Sequence, residues 1–297
     1  MFPRRCFSVG RNIYSSHSGL RTMMRINFKT YYTEENIHVK EKTTSPRSDI
    51  YFSRTPKSCL VSSPATHAYA IANPEKECSE DAFFILDENT FGIADGVGVW
   101  SEMGINSSIY SQSLLNHIED YIREKEDCTL YEALVYGYSK NVKAKIKGSS
   151  TVCLAKIIGR DLHALNLGDS SFAIFRDNRL IYQSEVQSHS FNYPYQLGTG
   201  GDSPASAHCI QCTLQQDDLI VMATDGLFDN LFNDEIEDVI KASSSDEIAT
   251  NLAVSAMASA CSAQKDTPFS EKVAEETDQI WRGGKLDDIT VVTHIVS

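Results

Sequence analysis

Residues 151–183 read TVCLAKIIGRDLHALNLGDSSFAIFRDNRLIYQ, and this stretch decides the fold class. Its apolar and β-branched runs at 151–158, 163–167, 171–175 and 180–183 are separated by Gly, Asp and Asn, the punctuation expected between consecutive strands. Arg176-Asp177-Asn178-Arg179 supplies the turn chemistry between the last two.

Upstream of these strands the period changes. Residues 107–124 place Ile109, Leu114, Leu115, Ile118 and Ile122 on one side of a helix, and 130–146 do likewise with Leu134, Tyr138 and Val142. Before them, 68–72, 82–86 and 91–94 are strand-like and expected to be antiparallel neighbours. Downstream, 184–206 shows no period and reads as a long loop of the functional kind. A strand pair at 209–214 and 219–223 follows, then helices at 234–242, 246–264 and 271–281 and a closing strand at 290–296. Antiparallel runs with helices bunched between them predict an α+β layered domain rather than a doubly wound one.

A chain of 297 residues with 41% hydrophobic content can bury a substantial core. No run of about eighteen apolar residues is present, so no transmembrane segment is expected. Net charge is −13, distributed unevenly. Residues 1–33 contain no acid and six basic residues, Arg4, Arg5, Arg11, Arg21, Arg25 and Lys29, which leaves the remainder at −19. So acidic a body disfavours nucleic acid as a partner. The Arg- and Ser-rich leader has the composition of a mitochondrial presequence, which points to the matrix. Residues 34–57 read as linker, and the folded domain as 58–297. Of the eight cysteines, Cys209 and Cys212 form a CxxC. On a strand, positions three apart face opposite ways, which argues against a shared zinc ion.

Acidic residues recur where strands give way to loops: Glu80-Asp81, Asp95-Gly96, Leu167-Gly168-Asp169, Asp225-Gly226-Leu227-Phe228-Asp229 and Leu286-Asp287-Asp288. One Asp-Gly after a strand is usually only a turn. Several together, without histidines or thiolates, make an oxygen-only donor set suited to magnesium or manganese.

These residues carry a resemblance. EDAFFI (80–85), FGIADGVGVW (91–100), GSSTVCLAKI (148–157), LNLGDSSF (165–172), ATDGLFDN (223–230) and GGKLDDIT (283–290) resemble, in order, the motifs of type 2C serine/threonine protein phosphatases. FNYPYQL (191–197) and GGKLDDITVV (283–292) are similar to the mitochondrial branch. The resemblance implies two packed antiparallel sheets flanked by helices, a four-layer sandwich with a two-metal centre at one end. It implies that Asp95 bridges two divalent cations, manganese or magnesium, that the Gly96 carbonyl binds one, and that Asp225 and Asp287 ligate the other. Glu80 would act through water, Asp81 and Asp288 would support the ligands, and Asp169 and Asp229 match a weaker third metal position. A water held between the two cations would attack phosphoserine or phosphothreonine in protein substrates. Kinship with the mitochondrial branch suggests metabolic enzymes, including those of coenzyme Q biosynthesis, as targets; a monomer is expected.

The chain departs from the family at three places. Val97 and Gly98 follow the Asp-Gly where the wider family often has histidine, which leaves the general acid unassigned with His189 as a candidate. Lys76 stands at the spacing of a phosphate-binding arginine and lacks the bidentate fork. Val99 replaces a glycine and would be strained if that backbone needs positive φ. Two other readings stay open on these residues: a phosphatase-like binding protein without activity, and a metal hydrolase of small phosphoesters.

Overall fold

Strand β7 (Ser171–Arg176) sends Phe172 and Ile174 into one buried apolar layer and Ala173 and Phe175 into another, as the two-residue period of a strand requires. Both faces are covered. In the computed structural model the described residues are 58–277 and 279–297, with the backbone of a strand pair, Ser8–Gly10 and Asn27–Lys29, in the leader. The expected presequence at 1–33 and linker at 34–57 otherwise lie outside the described residues.

The remaining main strands are β1 (Ser58–Ser62), β2 (Thr66–Ile71), β3 (Ala82–Asp87), β4 (Thr90–Ala94), β5 (Val152–Ile158), β6 (Asp161–Leu167), β8 (Arg179–Gln183), β9 (His208–Thr213), β10 (Leu219–Ala223) and β11 (Ile289–Ile295). They form a six-stranded sheet in the order β8-β7-β10-β11-β2-β1 and a five-stranded sheet in the order β9-β6-β5-β4-β3. All the pairings are antiparallel. Phe91, Ile93, Cys153, Ala155, Phe172, Ile220, Met222 and Val292 fill the space between the sheets.

Helices α1 (Ser108–Glu124) and α2 (Leu130–Ala144) cover the five-stranded sheet through Leu114, Ile118, Ile122 and Leu134, packed on Val152, Leu154 and Leu165. Helices α3 (Asn233–Ala242) and α4 (Ile248–Ala260) cover the six-stranded sheet through Ile236, Ile240, Leu252 and Ala256. The expected four-layer αββα sandwich is the observed fold. Each fully buried Leu, Ile or Phe in these layers is worth roughly 1.5–3 kcal/mol over leaving it in water.

Several details differ from the sequence reading. Ile109 faces solvent because the first turn of α1 buries Ser108, Tyr110 and Ser111 instead, and Val142 does so because the buried row of α2 runs through Leu130, Ala133, Gly137 and Asn141. A glycine at position 137 lets α2 approach α1, since a Cβ there would stand 2.7 Å from Ile118 Cγ1. The strands at 209–214 and 219–223 do not pair: β9 joins β6 and β10 joins β7 and β11. Likewise β2 lies in the six-stranded sheet and β3 and β4 in the other. Chain neighbours part because the segments joining them cross from one sheet to the other. The last helix, α5, is Pro268–Glu276 rather than 271–281, its start set by a Thr267 capping box with proline in the first turn.

His294 on β11 lies between the sheets, 3% exposed, with Nδ1 2.9 Å from Thr66 Oγ1 and its ring stacked on Phe91. Burial draws its pKa from 6.5 to about 4, outweighing the Glu88 carbonyl, which raises it. Below pH 6.5 the unfolded chain therefore binds a proton the folded chain refuses. His294 should add stability in full above pH 6.5 and lose it, roughly 3 kcal/mol in all, as pH falls through 4. Thermal melts of the wild type and His294→Asn across this range should show a steeper acid loss in the wild type. Parallel curves would remove His294 as the cause.

Candidate metal centre

The crossings between sheets place the acidic residues. Strand pairs Ala82↔Ala94, Val152↔Leu167, Ser171↔Ala223 and Ile289↔Ile71 all lie at one end of the sandwich. The segment joining β2 to β3 carries Glu80 and Asp81, Asp95 follows β4, and Asp169 lies in the β6–β7 crossing. Asp225 follows β10, and Asp287 and Asp288 precede β11. Asp225 opens a single helical turn, Asp225–Phe228, which turns Asp229 back to the same end; its backbone N–H donates to the Asp225 carbonyl at 2.8 Å. At Gly226 a Cβ would stand 2.1 Å from the Asp288 carbonyl oxygen, so only glycine lets these segments meet.

Two lysines bind the carboxylates into one group. Lys285 Nζ bonds Asp225 Oδ2 and reaches Asp229 Oδ2 at 3.2 Å and Asp287 Oδ2 at 3.3 Å. Lys76 Nζ reaches Glu80 Oε2 at 2.5 Å, Asp288 Oδ2 at 3.2 Å and Asp287 Oδ1 at 3.4 Å. Asp287 thus spans both halves. Asp288 is 2% exposed and accepts from the Asn73 N–H at 2.8 Å and the Glu80 N–H at 2.9 Å. Asp81 accepts from the Thr224 and Thr290 hydroxyls at 2.9 and 2.7 Å, and Glu80 Oε1 from Ser107.

The electrostatics describe a crowd of like charges. Burial raises the pKa of Asp95 well above the usual carboxylate range, and Asp81, Asp225, Asp287 and Asp169 raise it further. Asp169 is pushed up to about 8 by burial and Asp225, against the pull of Lys285. Burial also raises Asp81 and Asp225. Asp287 goes the other way, because Lys285 and Lys76 outweigh its burial. The carboxylates carry more negative charge than two ammonium groups offset.

Buried Asp81 Oδ1 and Asp225 Oδ1 have no hydrogen-bond partner, and Glu80 Oε2 takes none of acceptable angle although Lys76 lies near it. Buried anionic oxygens without partners are costly. As the side chains stand, no three carboxylates among the described residues converge on one cation-sized point; Lys285 lies between Asp225, Asp229 and Asp287 instead. The donor set itself, oxygen-only and under-compensated, fits hard divalent cations.

Of the residues singled out from sequence, Glu80, Asp81, Asp95, Asp169, Asp225, Asp229, Asp287, Asp288 and Lys76 are tied together by these contacts and couplings. Gly96 joins them through its N–H, which donates to the Glu80 carbonyl at 3.1 Å. His189 instead holds Asp202, 3.1 Å from each carboxylate oxygen, and stacks on Tyr195. The loop around it is pinned by short pairings of Ser188–Ser190 with Tyr193–Pro194 and of Leu197–Gly198 with Ser149–Ser150. Val99 lies in the 3-10 helix Gly98–Met103 and is not among the positive-φ residues, so its side chain is unstrained there. Sequence reasoning passed over Lys285 and Lys272, whose Nζ lies 2.9 Å from Asp229 Oδ1; the one signal for Lys285 was its place inside GGKLDD.

Comparison with known proteins agrees with this fold. The family described as Stage II sporulation protein E (SpoIIE) matches residues 89–295. The chain is 38% identical to "Probable protein phosphatase 2C 80" of Arabidopsis thaliana over 76% of its own length and 57% of that protein's. It is 34% identical to "Protein phosphatase PTC7 homolog fig" of Drosophila willistoni, covering 78% of this chain and 81% of the relative. Thus the chain spans about half the length of the plant relatives and most of the insect one. Among solved structures, the photosystem II phosphatase PBCP superposes with a TM-score of 0.73 at 29% identity, covering 78% of this chain and 98% of that one. The catalytic domain of the serine/threonine phosphatase PstP, solved with two manganese ions, shares the fold at a TM-score of 0.59 and 17% identity, over 78% of this chain and 98% of PstP. A sandwich with carboxylates gathered at its sheet crossings defines a metal-dependent phosphatase class. The chain belongs to the type 2C protein phosphatase family.

Proposed function

We propose that the chain hydrolyses phosphoserine and phosphothreonine in proteins, using divalent cations held by Asp95, the Gly96 carbonyl, Asp225 and Asp287. The observation that carries this reading is the set of buried, unpartnered carboxylate oxygens at the sheet crossings of a type 2C fold. Manganese or magnesium bound there would acidify a water and neutralise charge on the phosphoryl oxygens. Glu80 and Asp81 would support these ligands, Ser107 orienting the first and Thr224 and Thr290 the second, while Asp169 and Asp229 would hold a weaker third ion. Asp288 fixes the approach of the β2–β3 segment to Asp287. Lys76, held by Glu80, Asp287 and Asp288, would offer a substrate phosphate a point charge once cations neutralise those carboxylates.

The acid-free leader and the likeness to the insect relative support a mitochondrial address and mitochondrial phosphoproteins as substrates, enzymes of coenzyme Q biosynthesis among them. A reporter fused to residues 1–40 that stays in the cytosol would refute the address. For the activity, the full chain is incubated with a phosphothreonine peptide in manganese, in magnesium and in chelator. Phosphate release with either cation and none in chelator is expected. Release that persists in chelator refutes the metal centre; none under any condition refutes the enzyme.

A further inference from the structure

An ammonium carries three donors, and at Lys285 all three find carboxylates, those of Asp225, Asp229 and Asp287. Its side chain is only 16% exposed. Position 285 is fixed from the backbone: the Lys285 N–H donates to Asn230 Oδ1 at 2.9 Å, and Asn230 Nδ2 donates to the Lys285 and Gly226 carbonyls, each at 2.9 Å. That clamp ties the loop before β11 to the turn after β10, so the ammonium is delivered between Asp225 and Asp287 by the fold itself. Asp225 Oδ1, by contrast, is buried without a partner. One oxygen of Asp225 is thus committed to the lysine and the other is uncommitted.

We propose that Lys285 is a built-in counter-ion, occupying the ground between Asp225, Asp229 and Asp287 that a divalent cation must take, so that it sets the affinity of this end of the centre for metal. This rests on the metal-centre reading above. A divalent ion that takes Asp225 Oδ1 also needs Asp287, whose Oδ2 faces Lys285 Nζ at 3.3 Å, and an ammonium and a divalent ion on one carboxylate repel strongly, so binding requires Lys285 to withdraw. Its Nζ already stands 5.7 Å from the centroid of the Phe269 ring, which Trp281 backs edge-on, so a swing toward that ring would keep a cation–π contact as the ammonium leaves the carboxylates. The arrangement keeps like-charged carboxylates assembled at low cation concentration and raises the concentration at which the site fills.

Manganese titration of the full-length wild type and Lys285→Met by calorimetry tests this, alongside thermal melts in chelator. The variant should bind manganese at least about tenfold more tightly, the scale of shift one nearby charge produces, while melting lower in chelator for want of a counter-ion. Equal or weaker binding by a folded variant overturns the inference and leaves the metal centre standing. No binding by the wild type overturns the metal centre and this inference with it. A second readout needs no variant: manganese should increase acetylation of Lys285 Nζ by acetic anhydride, measured by mass spectrometry, and unchanged or reduced labelling would also overturn displacement.

Discussion

Asp225→Asn is expected to lower turnover of a phosphothreonine peptide about a thousandfold or more while leaving the protein folded and no less stable in chelator. A thousandfold corresponds to about 4 kcal/mol of lost transition-state stabilisation. Asp225 sits at the end of β10, 7% exposed, with its backbone fixed by the turn that follows. Its carboxylate meets Asp287 and Asp229 as like charges, and burial raises its pKa. A neutral amide of the same shape is a much poorer ligand for a hard cation. It also relieves repulsion among the remaining acids, so the chelated protein should melt at the same temperature or higher. This divergence separates a ligand from a structural residue, whose loss would lower both quantities. Asp95→Asn should behave alike, since Asp95 is buried among the like charges of Asp81, Asp225, Asp287 and Asp169. Retained turnover in either variant, measured in saturating manganese, would remove that residue from the centre.

The layers of the fold were legible in the sequence because each strand is nearly all apolar or sharply bounded. Residues 171–175 and 219–223 are buried on both faces, which betrays them as strands sandwiched between two covers. Which strand belongs to which sheet was not legible. β6 and β7 are separated by only Gly168, Asp169 and Ser170, a spacing that fits a hairpin as well as a crossing between sheets. The distinction is made by tertiary packing, with Gly168 at a φ of +111° turning the chain out of the first sheet. The carboxylates were readable for a related reason: Asp95, Asp169 and Asp225 follow apolar strands, while Asp81 and Asp288 immediately precede them, so each apolar run marks its own boundary. The lysines were not, because Lys285 meets Asp225 across 60 residues and nothing local in GGKLDD says where an ammonium will point. The same holds for Thr224 and Thr290, which orient Asp81 from just past the end of β10 and from the start of β11 in the opposite sheet.

That dependence on distant partners makes Asp288 the carboxylate of this group whose truncation should cost most stability. One carboxylate holds three points of the β2–β3 connection: its Oδ1 accepts from Asn73, its Oδ2 from Glu80, and Lys76 lies 3.2 Å from the latter oxygen. Asp288→Ala would leave two buried N–H groups without acceptors and a lysine short of one counter-charge. The expected cost is on the order of 3 kcal/mol or more, seen as a fall in melting temperature of roughly 6–12 °C for a domain of this size. Asp288→Asn keeps one carbonyl oxygen as acceptor, and it removes a charge whose burial is itself unfavourable, as the raised pKa of Asp288 records. It should therefore melt between the alanine variant and the wild type. Measured in chelator, so that cation binding does not enter, the order wild type above asparagine above alanine is the expected result. If alanine matched the wild type, the β2–β3 crossing would have to be held by other contacts, and Asp288 would lose its role in fixing Glu80 beside Asp287.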